Sequence, residues 1–471
     1  QIIKDINFYY LPKSITFNTE MYRYYSEREM RNKSGGDIII TPTYSKQWDW
    51  NRNYQLRYDL TKALTFEYSA QAQAYVYEPA GYVDRNEDPE TWQLNRDTIK
   101  NELRKLGSIS RYQQNVNATY TLPINKIPLL NWINASGSYQ GTYYWTASAL
   151  SIQDRLGNTI ENSNSLQGNA TLDFAKLYSK VPYLKNLASS SNRRNNNDNG
   201  RGGKQRGEKD GDDKDKGDKG GKDDNQASDS TKIKPKVNYG KIVLDNGLRI
   251  LTMIKKVSGT YSLVNGQTLP GFMPKPDFLG MNTKDWAPGL GFVLGSSFGE
   301  DADIYSKAVA NSIDLYENGG WLTRDSILAS PYIRRKTETI NYRVNAEPFQ
   351  GFKIDITGQR NYAENYQHYF RYSDASQQFE MFTPTNGGNF SASYFMMPTS
   401  FAAVDSTSSE LFNNLLSYRS IIADRLARSN EQWIENVNEY VYDTLAGDYF
   451  PRGYTSSSMD ILMYSFIAAY S

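Results

Sequence analysis

One short motif of this chain carries residue types that could form a covalent catalyst. Residues 295–299 read Gly-Ser-Ser-Phe-Gly, the G-x-S-x-G pattern that places a serine nucleophile on a tight turn in hydrolases. His368 is the only histidine, and therefore the only imidazole that could activate Ser297. The motif also needs a strand before it and a helix after it. The apolar run at 292–294 and the weak helical pattern at 300–312 would supply them.

The sequence around the motif nevertheless favours a structural role. A hydrolase sheet consists of buried parallel strands with continuous Val and Ile runs, whereas the strands predicted here alternate between apolar and polar residues. Small residues at the end of a strand give the same pattern without any chemistry. We therefore predict that the chain is not an enzyme, and we assign no catalytic residue.

The residue types of the chain argue against a metal site or a cofactor site. The chain has no cysteine, which excludes disulfides, thiolate nucleophiles and Cys-ligated metals. One acidic run is interrupted by lysines and no Glu closes it as a calcium loop requires, so a solvated charge run is the expected interpretation. No phosphate-binding G-x-x-x-x-G-K-[ST] loop is present, and we predict no metal and no cofactor. The acidic run comprises Asp210, Asp212, Asp213, Asp215 and Asp218.

The composition points to a sheet with one wet face and one apolar face. Basic and acidic residues number 53 and 52, so no electrostatic surplus favours a nucleic-acid partner. Hydrophobic residues make up only 38% of the chain, yet aromatic residues reach 14% and include 37 Tyr. Soluble globular domains contain roughly 45–50% apolar residues, whereas transmembrane barrels combine polar interiors with aromatic girdles.

Period-2 alternation is the main secondary-structure signal. Over residues 44–60 the even positions are mostly Tyr, Trp and Leu, while the odd positions are mostly polar, and 64–76 repeats the pattern after a short break. Both runs exceed the 5–6 residues of an average strand and reach the ~9–11 residues of a tilted membrane strand. Similar alternation occurs at 15–21, 112–122, 134–145, 340–346 and 354–356.

The polar positions of these strands are Asn, Gln, Thr and Ser more than Lys and Glu, which favours a wall facing confined water. A soluble antiparallel sheet with one solvated face is the alternative. Lys46 and Arg52 fall on the apolar side, so we expect them near an interface, snorkelling, or at a bulge. Ala70, Ala72 and Ala74 suit the close approach of another element.

These patterns divide the chain into five regions. We predict barrel strands and loops over 1–188, a disordered low-complexity loop over 189–231, barrel strands with inserted loops over 232–400, a mainly helical loop over 401–450 and a return to a barrel strand over 451–471. The clearest helix is at 408–428, and 92–106 is a weaker candidate, like 300–312.

No apolar run approaches the ~20 residues of a membrane helix. Because Gln1 follows no Met or export signal, we expect a processed or truncated chain.

Short motifs along the chain carry a family resemblance through their serial order. They are Asn7-Phe8, Leu11-Pro12, Arg31-Asn32, Tyr58-Asp59-Leu60 with Leu64, Leu177-Tyr178, Tyr183-Leu184-Lys185, Tyr261-Ser262, Leu269-Pro270-Gly271-Phe272 with Pro274, Ala287-Pro288-Gly289 with Phe292 and Gly295, and Phe466-Ile467-Ala468-Ala469-Tyr470. Together they span nearly the whole chain. In this order they resemble the SprA family, also called Sov, the giant outer-membrane translocons of the type 9 secretion system in Bacteroidetes.

The resemblance implies an all-β fold: an antiparallel transmembrane β-barrel segment with long loops and a few short helices. It would supply roughly a dozen of the about 36 strands of the largest single-chain barrels. It also implies a location in the outer membrane of a Gram-negative cell, in contact with outer-membrane lipid. The lumen of such a translocon passes folded cargo proteins to the cell surface, and the implied partners are a PorV-like shuttle and a periplasmic plug protein.

Two other functions remain open from the sequence. The chain could belong to another outer-membrane transporter barrel, such as a nutrient receptor, which a separate plug domain would favour. It could instead be a soluble β-rich adhesin or binding module, which solubility without detergent would favour.

Overall fold

The protein is an antiparallel all-β structure with a few helices. The computed structural model describes residues 8–31, 40–185, 247–248, 250–313, 320–349, 351–394, 396, 399, 401, 409–429 and 439–470. Ten strands form one sheet in chain order. They are β1 (Ser14–Arg28), β2 (Thr43–Asp59), β3 (Leu64–Tyr75), β4 (Ser108–Leu122), β5 (Ile133–Thr146), β6 (Asn158–Asp173), β7 (Ile254–Phe272), β8 (Tyr332–Phe349), β9 (Phe352–Ser373) and β10 (Gln378–Ala392).

The prediction of a long-stranded antiparallel sheet is confirmed, but the sheet is not a closed barrel. Each strand pairs with its neighbours in the chain, as expected for consecutive antiparallel strands. Strand lengths run from 12 residues in β3 to 22 in β9, longer than in ordinary globular sheets. Within the described residues β1 and β10 each have one neighbouring strand and leave the other edge open.

The connections differ between the two ends of the sheet. At one end, the turn end, β2 joins β3 through residues 60–63, and β8 joins β9 through 350–351. At the other end, the loop end, residues 76–107 connect β3 to β4, and residues 273–331, here called the insert, connect β7 to β8. Three of the four connections at the turn end are therefore short, whereas the fourth, from β6 to β7, is the longest in the sheet.

The described parts of these connections contain short and medium helices, of which five are labelled α1 to α5. They are α1 (Pro89–Arg104), α2 (Gln153–Leu156), α3 (Phe174–Tyr178), α4 (Leu290–Val293) and α5 (Ile304–Ile313). Helix α1 begins where Asp88 accepts a hydrogen bond from the Thr91 N–H at 3.0 Å, with Pro89 in the first turn. The weaker helix predictions at 92–106 and 300–312 are thus confirmed in α1 and α5. The predicted loop at 189–231, including the acidic run, lies outside the described residues.

A small helical unit follows the sheet. It consists of α6 (Glu410–Ser429), the hairpin strands β11 (Tyr440–Asp443) and β12 (Asp448–Pro451), and α7 (Met459–Tyr470). Ala423 of α6, Phe450 of β12 and Ile461 of α7 form its buried core. The helix predicted at 408–428 is confirmed, and the region 401–450 additionally contains the hairpin.

The prediction of a barrel strand at 451–471 is wrong, because residues 459–470 form α7. This segment is apolar on nearly every side and does not alternate, so only packing decides its conformation. In the helix, Phe466 and Tyr470 stack with ring centroids 4.5 Å apart, and Ile461 is fully buried among residues of the helical unit. A strand would place successive side chains on opposite faces and lose the packing of these one-turn neighbours.

Asp443 makes the helical unit sensitive to acid. Its carboxylate accepts hydrogen bonds from the N–H groups of Ser456 at 2.8 Å, Leu445 at 2.9 Å and Ala446 at 3.3 Å. These bonds, first of all those with Ser456, hold the pKa of Asp443 below its usual value. Because the folded pKa is lowered, the stabilisation is complete above about pH 4 and is lost as the pH falls through the lowered pKa. Between pH 5 and 2 we therefore expect the hairpin to loosen.

Pepsin cleavage of the hairpin measures this effect across that range. The Asp443→Asn variant should be cleaved faster than the wild type at pH 5, and the difference should narrow towards pH 2. Asp448→Asn is the matched control on the same hairpin. Equal cleavage of all three proteins at pH 5 would show that Asp443 does not fix the hairpin.

Candidate functional site

The two faces of the sheet differ in chemistry from one edge to the other. Residues that pair across antiparallel strands share a face, so each row of paired residues samples one face of the whole sheet. One such row runs across nine strands, is polar throughout and contains no buried residue. It comprises Asp59, Thr65, Thr119, Ser138, Gln167, Ser262, Thr339, Asn361 and Ser391. We call this side the amide face.

The opposite face is apolar over the half of the sheet nearer the turn end. We call this region the apolar belt. Its rows are Tyr58, Phe66, Ala118, Tyr139, Leu166 and Leu263; Leu64, Tyr120, Gly137, Gly168, Tyr261 and Ile340; Leu122, Ala135, Ala170, Gly259 and Tyr342; and Ile133, Leu172, Val257, Val344 and Ile356. Many of its side chains are exposed, including Tyr120 at 43% and Leu166 at 40%. The next residues of the first two rows are charged, Glu338 of β8 and Arg360 of β9. These two form an ion pair, with Arg360 Nη1 3.0 Å from Glu338 Oε1.

The insert covers the half of the same face nearer the loop end. Together they form the main core, in which side chains from strands β3 to β9 pack against the insert. Trp145 of β5 and Phe292 of the insert are both fully buried. Tyr143 meets Phe292 edge to face, with ring centroids 5.9 Å apart. The insert thus divides one face of the sheet into a covered half and an exposed apolar half.

Side-chain donors on the strands bind the backbone of the insert at the end of α4. A helix leaves its last carbonyl groups without partners, and here five consecutive carbonyls, 292–296, accept from the sheet. Asn162 Nδ2 donates to Ser296 at 2.7 Å and to Phe292 at 3.4 Å. The other donors are Gln114 Nε2 to Val293, Tyr139 Oη to Leu294 at 3.0 Å and Asn164 Nδ2 to Gly295 at 2.7 Å. These buried amides therefore fix the position of the insert.

A second group of contacts holds α5 against β7, β8 and β9. Gln267 is buried; its Oε1 accepts from the Ile304 N–H and from Tyr332 Oη, each at 2.9 Å. Tyr305 of α5 packs on His368, with ring centroids 4.5 Å apart. Burial, followed by the nearby carboxylate of Asp303, raises the pKa of Tyr305 to about 12. The hydroxyl of Tyr305 therefore stays neutral and fits a packed interface.

The G-x-S-x-G motif forms a close backbone crossing between the insert and β5. A Cβ atom on Gly141 would lie 2.0 Å from the carbonyl oxygen of Leu294. Gly295 has a φ of +87°, and a Cβ there would lie 2.6 Å from the Cα of Gly141. Only glycine fits these two positions, because no side-chain atom can occupy the space between the two backbones.

The strand expected before this motif is not present. Residues 290–293 form the short helix α4, so Ser297 does not sit on the strand-to-helix turn of a hydrolase. Ser297 Oγ is buried without a hydrogen-bond partner, and both ring nitrogens of His368 also lack one. No hydrogen bond therefore joins Ser297 to His368, and the aromatic contacts of His368 with Tyr305 and Tyr332 account for its position. The absence of catalysis stays a prediction.

The residues that interrupted the apolar side have separate environments. Lys46 lies at the loop-end start of β2, where its Nζ is 3.4 Å from Glu78 and 2.9 Å from the carbonyl of Pro79. Arg52 is buried, with 3% of its surface exposed. Ala70 and Ala72 are buried in the core shared with the insert, which confirms the predicted close approach of another element.

The described parts of the chain contain no group of three or more His, Cys, Asp or Glu residues that could hold a metal ion. Among the same residues, no helix combines the length and the apolar composition that crossing a membrane requires. The fold and this site define a class of protein: an antiparallel sheet of long strands with one amide face, one apolar face and an insert docked on the apolar face. No family model matches the chain, and no curated protein matches it.

Proposed function

We propose that this chain is part of the wall of an outer-membrane β-barrel that conducts proteins. The observation that carries the proposal is the contrast between adjacent rows of the sheet. The row containing Gln167 and Ser262 is polar. The next row, containing Leu166 and Leu263, has apolar or aromatic side chains on every strand from β2 to β7. A membrane barrel needs this alternation because one face contacts lipid and the other lines water.

The extent of the apolar belt also supports the proposal. Strands β5, β6 and β7 each present four alternate belt positions, a length of about 20 Å along the strand, and β4 and β8 present three. This is comparable with the apolar band of about 25 Å on the outside of outer-membrane barrels. A soluble sheet would bury such a surface, since monomeric proteins rarely leave large apolar patches in water.

The open edges of the sheet fit a place within a larger barrel. An exposed strand edge presents unpaired backbone groups that invite association, and closure of a barrel removes them. Both β1 and β10 leave such an edge among the described residues. Pairing of these edges with further strands would produce a wide, amide-lined lumen, because barrel diameter grows with strand number.

The more specific proposal rests on the resemblance to the SprA family. In that proposal the lumen passes folded cargo proteins to the cell surface, with a PorV-like shuttle and a periplasmic plug as partners. The chain would act without a cofactor and without chemistry of its own. Retention of cargo inside cells that lack this protein, with export restored by its return, would support this specific assignment.

Cysteine labelling tests the membrane proposal on adjacent residues of β6. The chain contains no cysteine, so single Leu166→Cys and Gln167→Cys variants give one label each. Leu166 lies on the apolar belt and Gln167 on the amide face, and both side chains are exposed. In envelope membranes we expect a water-soluble maleimide to modify Gln167→Cys. A bilayer-embedded quencher should reach a fluorophore on Leu166→Cys.

The soluble binding module predicts a different result. In that case both cysteines would react with the water-soluble reagent at similar rates, and the lipid quencher would affect neither fluorophore. That outcome would overturn the membrane proposal.

A further inference from the structure

A cleft on the apolar side of the sheet contains a buried cation without a partner. The cleft has a volume of about 640 Å³ and lies where β2, β3 and β4 meet the start of the insert. Arg52 of β2 lines it with 3% of its surface exposed. No described residue forms a hydrogen bond or an ion pair with the Arg52 guanidinium, and its Nε is buried without a partner. Its one contact of note is with the ring of Trp50, 5.1 Å away.

A guanidinium with only 3% of its residue's surface exposed and no counter-charge is unfavourable, because it has lost most of its contact with water. An anion bound in the cleft would neutralise this charge. The planar guanidinium group of arginine can donate two parallel hydrogen bonds to the oxygens of a carboxylate or a phosphate. The nearby hydroxyl groups do not replace one. Tyr112 Oη donates to Gln114 Oε1 at 2.9 Å, and Tyr68 Oη lies within 3.2 Å of the same oxygen.

The remaining charges of the cleft favour an anion with two negative charges. Lys105 and Lys275 also line it, so three cations face one carboxylate, that of Asp277. That carboxylate is already engaged, because its Oδ2 accepts from the N–H and the hydroxyl of Thr283, both at 3.0 Å. Lys275 lies 3.9 Å from the carboxylate of Asp154, so the surplus positive charge of the cleft is on Arg52 and Lys105, which have no ion-pair partner among the described residues. A phosphate group fits this surplus better than a single carboxylate does.

Part of the remaining wall of the cleft is apolar and continues towards the belt. Phe278 and Leu279 of the insert form part of its wall and are 57% and 38% exposed. Ala70 and Tyr68 of β3 form another part, and Phe66 of the belt follows on the same face of β3. A ligand with a phosphate at Arg52 could thus extend an acyl chain along the belt.

We propose that the Arg52 cleft binds the phosphate head group of an anionic lipid. This inference rests on the proposed function, since the apolar belt then marks the acyl layer and the cleft lies at head-group level. Basic pockets at this level are the usual way in which membrane proteins bind phosphate-bearing lipids. The lipid would supply the counter-charge that the protein itself does not give to Arg52.

Lipid titration of the detergent-purified protein tests the site. The probes are dioctanoyl phosphatidic acid, dioctanoyl phosphatidylcholine and inorganic phosphate, with binding followed by native mass spectrometry. We expect saturable binding of phosphatidic acid, at least tenfold tighter than that of phosphatidylcholine or inorganic phosphate. Arg52→Gln should weaken it at least tenfold, Arg52→Lys less, and Lys105→Gln by a smaller factor. Arg57→Gln on the amide face of the same strand is the matched control.

Two outcomes would overturn the proposal. Equal binding by Arg52→Gln and Arg57→Gln would show that phosphatidic acid does not use this cleft. Binding of inorganic phosphate as tight as that of phosphatidic acid would make free phosphate, and not lipid, the ligand. The cysteine labels on β6 separate this test from the proposed function. If the cysteine variants show the labelling expected for a membrane wall but the protein does not bind phosphatidic acid, the lipid site is refuted and the proposed function is not.

Discussion

Replacement of Gly141 by alanine is expected to release the insert from the sheet. The new methyl group, fixed to the Cα of residue 141, would lie 2.0 Å from the carbonyl oxygen of Leu294, a backbone atom that cannot rotate aside. Overpacking of a core costs about 1–3 kcal/mol, and a backbone clash of this kind belongs at the upper end. A loss of about 3 kcal/mol corresponds to a roughly 100-fold larger open population.

Hydrogen exchange of peptides from the insert measures this population. Gly141→Ala should accelerate exchange across residues 290–296, and Gly295→Ala should do the same because its φ of +87° disfavours any side chain. Gly137→Ala is the matched control on the same face of β5, where the nearest atom to the new Cβ lies 3.7 Å away. Similar exchange in Gly141→Ala and Gly137→Ala would refute the crossing as the point that fixes the insert.

The hairpin of β2 and β3 illustrates what the sequence could predict. Its two faces differ in nearly every residue, so the alternation over 44–60 and 64–76 specified both strands within a residue or two. The alternation is local, and it therefore survives in the sequence without any knowledge of the partner strands. The same reasoning located most of β4 and β5, but only residues 340–346 of β8.

Strand β6 was missed for a physical reason. Alternation fails where Asn162 and Asn164 replace the apolar residues expected on that face. These two amides are needed because they donate to carbonyl groups of the insert more than 130 residues later in the chain. A contact between residues so far apart in the chain leaves no local sequence pattern. Asn162 and Asn164 therefore interrupt the alternation by which the strand would have been recognised. The same reason hid the docking of the insert, which is the main correction that the structure makes to the site.

Replacement of Tyr261 by lysine is expected to prevent assembly of the protein in the outer membrane. Tyr261 lies in the middle rows of the apolar belt, between Gly168 of β6 and Ile340 of β8, and 37% of its surface is exposed. A lysine at the lipid-facing midplane of a barrel costs about 2–4 kcal/mol, which is a large part of a typical folding free energy. In a soluble protein the same exposed position would accept lysine at little cost.

Two companion variants separate the charge from other effects. Tyr261→Leu keeps an apolar side chain and should assemble normally, while Ser262→Lys places the same charge on the amide face and should be tolerated, since that face lines water. The amount of heat-modifiable protein in the outer-membrane fraction measures assembly. Because the two lysine variants differ by one position along β7, their contrast reports the orientation of the strand. If both assembled equally well, the apolar belt would not face lipid, and the insert would then rest on a sheet surrounded by water.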